Sequence, residues 1–228
     1  MIASCAVVDL ELERDGAVCH PGLAAPMLAD LHRILARMPD GRAGLRISDD
    51  PELGFMLGEG GPVGAVAKTL LGAGVQPVRV VLFDKNDAAG WVLGWHQDRT
   101  ITVRQRMDVS GFGPWTVKQG IVHVEPPFSV IDEMLTVRIH IDPVDDEKAP
   151  LLVALGSHRL GRIPAPAVEQ IAQGLQKHVC LADAGDVWFY RTPILHASNA
   201  ARPGRRRRVL QVDYAIGALP SGLEWLGI

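Results

Sequence analysis

Long apolar runs are missing from this sequence: none approaches the roughly 18 consecutive apolar residues that a membrane-spanning helix needs. No basic segment precedes the short apolar stretch in MIASCAVVDLELERDG, so neither a membrane anchor nor an export signal is expected. An excess of charge of either sign is lacking too. Lys and Arg number 23 against 26 Asp and Glu, a formal net charge of −3, which gives no bulk attraction for nucleic acid or an anionic membrane surface. Cysteine is scarce. Cys5, Cys19 and Cys180 form an odd, scattered set without a CxxC pair, which argues against a disulfide framework or a cysteine-built zinc site. Three small thiols in a reducing cytoplasm are the expectation. Internal repeats, low-complexity tracts and linkers are also absent. What remains is an ordinary globular composition, 47% hydrophobic and 21% charged, over 228 residues, enough for one large domain.

The first part of the chain reads as helical. Leu23, Met27, Leu28, Leu31, Ile34, Leu35 and Met38 recur at three- and four-residue spacing between Pro21 and Pro39, the pattern of an amphipathic helix. The glycine-rich stretch GEGGPVGAVAKTLLGAG has neither the order of a phosphate loop nor that of a dinucleotide turn, and a helix from Val63 to Leu71 explains it better. From Val78 the texture changes to short β-branched runs: VRVVLFD, ITVRQRMDV, WTVKQGIVHV, LTVRIHID, LLVAL, DVWFY and RRVLQVDYA, with one helical segment, Pro166 to Leu175, among them. Many short strands with little helix between them predict an antiparallel sandwich or barrel.

Eight histidines offer candidate ligands. In GWHQDR, His96 and Asp98 are two apart, so on a strand both leave the same face and can reach one ion. A third ligand has to come from elsewhere, and His123, His140, His158, His178 and His196 are the candidates; the most informative surroundings are those of His196, which closes an apolar run before a turn-rich loop. Beyond that loop lie Arg205 to Arg208. Leu210, Val212 and Tyr214 mark one face of the following strand, which puts Arg207, Val209, Gln211 and Asp213 on the other. One arginine of the run therefore points, in polar company, into whatever the sheet encloses. Along LTVRIHID, Thr136, Arg138 and His140 likewise share a polar face, directed to solvent or to a barrel lumen.

LFDK at Leu82–Lys85, WHQD at Trp95–Asp98, RIHID at Arg138–Asp142, GSH at Gly156–His158, HAS at His196–Ser198 and the arginine pair Arg207–Arg208 form an ordered set. In that order and spacing the chain resembles the iron- and 2-oxoglutarate-dependent dioxygenases of the phytanoyl-CoA dioxygenase type. The stretch RQRMDVSGFGPWTVKQGIVHVEPP is similar to a short bacterial subgroup. The resemblance implies a double-stranded β-helix (a jelly-roll, cupin-like), mainly β with flanking helices: a single domain over 1–228, with 1–75 a helical N-terminal part and 76–216 the β-helix core. It implies that His96, Asp98 and His196 hold Fe(II) as a facial triad with three sites left for 2-oxoglutarate and molecular oxygen. The family's distal-carboxylate anchor, eleven residues after the second histidine, corresponds to Arg207, with Ser198 as its hydroxyl partner and Thr136 beside the cosubstrate. Arg206 or Arg208 takes that role if the register slips by one. The family's Asn-Gly-Pro appears here as Lys148-Ala149-Pro150, a departure expected to touch no ligand.

The implied activity is hydroxylation of a small organic substrate in the cytoplasm, with Arg138, His140, Trp115 and His123 as substrate contacts and no nucleic-acid or membrane partner; the oligomeric state is not legible. Asp98 keeps the carboxylate that halogenating relatives replace. Two other classes stay open: a cupin-like metal-dependent hydrolase or isomerase, and a non-catalytic 2-oxoglutarate-binding protein. The segment Arg99 to Pro127 carries Arg104, Arg106, Trp115, Lys118 and His123 among glycines and prolines. As a lid at the barrel mouth it favours an anionic substrate; as a plain hairpin on the outside of the sheet it leaves its basic residues solvated.

Overall fold

The computed structural model describes residues 9–39, 44–85, 92–199 and 207–228. Cys5, Trp91 and Arg206 lie outside the described residues. Thirteen strands are described, in chain order β1 (Ala17–His20), β2 (Gly44–Ile47), β3 (Val75–Lys85), β4 (Leu93–His96), β5 (Ile101–Val103), β6 (Trp115–Lys118), β7 (Ile121–Val124), β8 (Leu135–His140), β9 (Leu151–Ala154), β10 (Lys177–Cys180), β11 (Val187–Arg191), β12 (His196–Ser198) and β13 (Arg207–Ile216). They form a six-stranded sheet, β1-β11-β8-β13-β3-β2, a four-stranded sheet, β10-β9-β12-β4, and a small third sheet, β5-β7-β6. All pairings are antiparallel. The two larger sheets make the double-stranded β-helix.

Alternation along the strands builds two cores. On β8, Leu135, Val137 and Ile139 join Phe189, Leu210, Val212 and Tyr214 on one face of the large sheet. A short helix, α1 (Leu12–Asp15), precedes β1, and packed on that face are the apolar sides of three further helices, α2 (Leu28–Leu35), α3 (Pro51–Leu57) and α4 (Pro62–Leu71), through Leu31, Leu53, Leu57, Val63 and Ala67. Proline stands at the start of α3 and α4, where its fixed φ suits the first turn, and the Asp50 carboxylate accepts from the Leu53 amide (3.0 Å) to cap α3. Between the sheets, Leu151, Val153, Trp188, Tyr190 and Ile194 plug part of the barrel. The polar face of β8, with Thr136, Arg138 and His140, is buried inside it, so this is a lumen and not a solvated face.

The N-terminal part is not purely helical. β1 and β2 come from it and form both edges of the large sheet, with Ala17 opposite Tyr190 and Ile47 opposite Val80. Cys19 on β1, expected as a free thiol, is disulfide-bonded, whereas Cys180 is free and buried. The run WTVKQGIVHV is two strands and not one, because Gln119 (φ 54) and Gly120 (φ 81) turn the chain between β6 and β7.

Candidate active site

β4 and β12 are neighbours in the four-stranded sheet, and His96 sits directly opposite His196. Their ring centroids are 4.2 Å apart. Asp98 follows two residues later, and the ligand atoms of His96, Asp98 and His196 all lie within 4.8 Å of one another. Nδ1 of His96 lies 2.8 Å from the Gly94 carbonyl and Nδ1 of His196 lies 3.0 Å from the Ile194 carbonyl. A carbonyl only accepts, so each Nδ1 is the nitrogen that donates and each Nε2 is the one left to face an ion. Burial, then the neighbouring His96, pushes His196 down to about 4, which keeps it neutral. Burial alone would raise the Asp98 carboxyl, but Arg79 above all, with both imidazoles and Arg138, holds it below its usual value. Two imidazoles on adjacent strands and one carboxylate just past the end of β4 fit a divalent transition metal with open positions.

Two residues outside the triad fix it in place. Gln97 points the opposite way from its neighbours. Its Nε2 donates to the carbonyls of Pro193 (2.8 Å) and Gly161 (3.0 Å), and its Oε1 accepts from the Ile163 amide (2.9 Å). Arg79 reaches across from β3, 3.4 Å from Asp98, while its other partners are Asp213, opposite it on β13, and the Thr100 carbonyl (3.1 Å). Asp213 in turn is buried beside Thr136 and Gln211.

A cavity of about 180 Å³ lies between the sheets, with the triad on one wall and cations on the other. Arg207 is 2% exposed, donates to the Ala149 carbonyl, and leaves its Nε without a partner. Burial, then the nearby Arg138, pushes its guanidinium down to about 9. Arg138 is buried too, stacks over Phe83 at 5.2 Å and also has an unpartnered Nε. Neither makes an ion pair among the described residues. Arg208 instead holds Asp142 in a two-pronged pair (2.7 and 2.9 Å) away from the cavity, so the parity of β13 gives the cavity Arg207. Ala149, part of the Lys148-Ala149-Pro150 departure expected to touch no ligand, offers its carbonyl to Arg207, and it adopts a left-handed conformation (φ 51, ψ 62).

The other candidate residues divide. Ser198 and His123 line the cavity, as do Arg46 and Lys118. Thr136 does not; its hydroxyl bonds Thr192 (3.0 Å) and it borders Asp213, behind the cavity wall. His140 is buried beside Arg207 and Arg138 with both ring nitrogens unpartnered, and its pKa is pushed well below the usual value by burial and then by those arginines. Trp115 packs in a satellite core with Arg106 at 5.8 Å from its ring centroid, and Arg104 pairs with Glu224 in solvent. His158 meets the Glu13 carbonyl (3.3 Å), a contact across 145 positions to the N-terminal part of the chain and not one within its own turn. The segment expected as either lid or outer hairpin is both: it pairs as regular strands, yet His123 and Lys118 reach the cavity while Arg104 does not. Sequence reasoning passed over Gln97, Arg79 and Arg46. The first two left a signal, since the residue between HxD ligands must face away and an arginine flanked by the valines of VRVVLFD needs a buried partner.

Residues 12–209 match the family described as Phytanoyl-CoA dioxygenase (PhyH). No curated protein matches the sequence. Among solved structures, the non-heme alpha ketoglutarate dependent epimerase SnoN from nogalamycin biosynthesis is 20% identical with a TM-score of 0.64, covering 94% of this chain and 85% of its own. EctD from S. alaskensis is 16% identical with a TM-score of 0.64, covering 95% of this chain and 78% of its own, and it has also been solved with 2-oxoglutarate and 5-hydroxyectoine. HygX from Streptomyces hygroscopicus, solved with nickel and 2-oxoglutarate, is 14% identical with a TM-score of 0.59, covering 90% of this chain and 84% of its own. At such identities the likeness is one of fold.

Proposed function

The chain belongs to the phytanoyl-CoA dioxygenase family, and from that premise we propose that it is a non-haem Fe(II)- and 2-oxoglutarate-dependent dioxygenase that hydroxylates a small organic substrate. When bound, Fe(II) and 2-oxoglutarate supply the oxidising power: one atom of molecular oxygen goes into succinate as carbon dioxide is lost, and the other goes into a substrate C–H bond. His96 and His196 would offer Nε2 and Asp98 one carboxylate oxygen. Arg207 would grip the distal carboxylate of 2-oxoglutarate through its planar fork, with the Ser198 hydroxyl beside it. Arg79 and Gln97 hold the triad in position from behind.

The observation that carries this reading is a buried guanidinium, Arg207, with no carboxylate partner among the described residues, in the same cavity as two histidines and an aspartate at ligand spacing. A buried cation of this kind is costly unless a ligand supplies the anion. A hydrolase or isomerase built on the same triad would leave Arg207 without a purpose. Epimerisation and ring formation are the reactions named for two solved structures of this fold, SnoN and SnoK. Hydroxylation is distinguished from both by a product that gains one oxygen atom. Incubating the Fe(II)-loaded protein with 2-oxoglutarate and a metabolite panel should give substrate-stimulated succinate and such a product, and Asp98→Ala should abolish both. Arg207→Ala should weaken 2-oxoglutarate binding by about 2–5 kcal/mol. Unchanged 2-oxoglutarate affinity in that variant would overturn the assignment.

A further inference from the structure

Charge inside the cavity does not balance. With metal and cosubstrate in place, Asp98 and the chelating carboxylate would match a divalent ion, the distal carboxylate would match Arg207, and Asp213 already matches Arg79. Arg46, Lys118 and Arg138 then remain, all lining the cavity, with no carboxylate partner among the described residues.

Arg46 is the one built to hold a ligand. It sits on β2, where Leu45 and Ile47 are buried in the helix-side core, so the alternate face directs Arg46 to the cavity opposite Val81. Its Nε donates to Nε2 of His123 (3.2 Å). His123 can accept there because its other nitrogen, Nδ1, lies 3.0 Å from the Ile121 carbonyl and so carries the proton. The backbone around Arg46 is held as well: the Gln119 amide at the tip of the β6–β7 turn accepts from the Arg46 N–H (3.2 Å) and donates to the Gly44 carbonyl (2.8 Å). One edge of the guanidinium is therefore fixed, and its terminal nitrogens make no hydrogen bond among the described residues. Burial, then Arg79, lowers its pKa, the signature of a cation short of an anion.

We infer that Arg46, oriented by His123 and joined by Lys118 at the rim, binds an anionic oxygen group of the primary substrate, a carboxylate or a phosphate. The inference rests on the oxygenase reading for calling that ligand the substrate. It also gives the N-terminal strand β2 a part in specificity.

The test is a calorimetric titration of the nickel-loaded protein saturated with 2-oxoglutarate. The probes are acetate, butanoate, hexanoate and benzoate, each against its primary amide, together with methyl phosphate against methanol. At least one acid, or the phosphate, should bind about tenfold or more tightly than its neutral partner, as a charge-assisted hydrogen bond implies. Arg46→Gln should erase that preference, Arg46→Lys should restore part of it, and Lys118→Gln, an exposed change that leaves the fold alone, should reduce it severalfold. Which anion wins separates a carboxylate from a phosphate substrate. Equal binding of every charged and neutral pair, or a preference that survives Arg46→Gln, would overturn the inference. Binding of 2-oxoglutarate is read in the same instrument: its loss with the preference intact would remove the oxygenase reading alone.

Discussion

Gln97 shapes the metal site by turning its back on it. Three hydrogen bonds anchor it to Gly161, Ile163 and Pro193, so the backbone between His96 and Asp98 cannot rotate and both ligands stay on one face. Gln97→Leu keeps the bulk but strands the buried amide of Ile163. A loss of about 1–3 kcal/mol in urea unfolding is expected, with metal affinity falling by about tenfold to a hundredfold as for other residues that orient ligands; wild-type metal affinity would refute the positioning role. Ala149 gives the opposite sign. A left-handed φ of 51 costs an alanine about 1 kcal/mol or more, so Ala149→Gly should raise stability by roughly 0.5–1 kcal/mol, read as a shift in the urea midpoint. At this scale the site was legible from short-range pattern: the two-residue spacing of His96 and Asp98, although Asp98 lies just past the end of β4, and strand parity for Arg207 against Arg208. Arg46 gave no signal because a four-residue strand, GLRI, is too short to show a period.

Among elements, the β6–β7 hairpin couples the barrel mouth to the N-terminal strand. Its turn needs two left-handed residues, and Gly120 supplies one without strain. Gly120→Val puts a β-branched side chain at φ 81, which should cost about 1–3 kcal/mol. The hairpin would then loosen from Gly44 and Arg46. Faster amide exchange over residues 115–124 and over β2, with exchange in β8 unchanged, is the expected readout. The sequence hid this turn because β-branched residues stand on both sides of it in WTVKQGIVHV, and Gln is not a usual turn residue. AVCH and GLRI escaped notice as strands for a related reason: edge strands of four residues carry too little pattern to stand out from a helical neighbourhood. The longer strands β3, β8 and β13 were legible from β-branched residues alone, and the helices α2 and α4 from spacing and proline.

Over the whole molecule, histidine burial sets the acid limit of stability. His123 is pushed down to about 4, mainly by burial, and His20, His140, His158 and His178 are all lowered by burial as well. Between about pH 6.5, where an unfolded histidine titrates, and pH 4, the unfolded chain binds more protons than the folded one. Stability therefore falls as pH falls through that window. Urea midpoints at pH 7.5 and pH 5 should differ, the latter lower; equal midpoints would contradict the burial of these rings. The order of strands in the large sheet has a further consequence, one of timing. β13 lies at its centre, between β8 and β3, yet it leaves the ribosome last of the thirteen. Until it arrives, the inner edges of β8 and β3 stay open, and β1 must wait for β11, about 170 positions downstream, to pair Ala17 with Tyr190. Such distant pairings slow folding and leave strand edges exposed while the chain is made. The nascent protein can mature its helices early but closes its barrel, and gains Arg207, in the same late step, so a partly made chain holds neither a finished sheet nor a place for the cosubstrate.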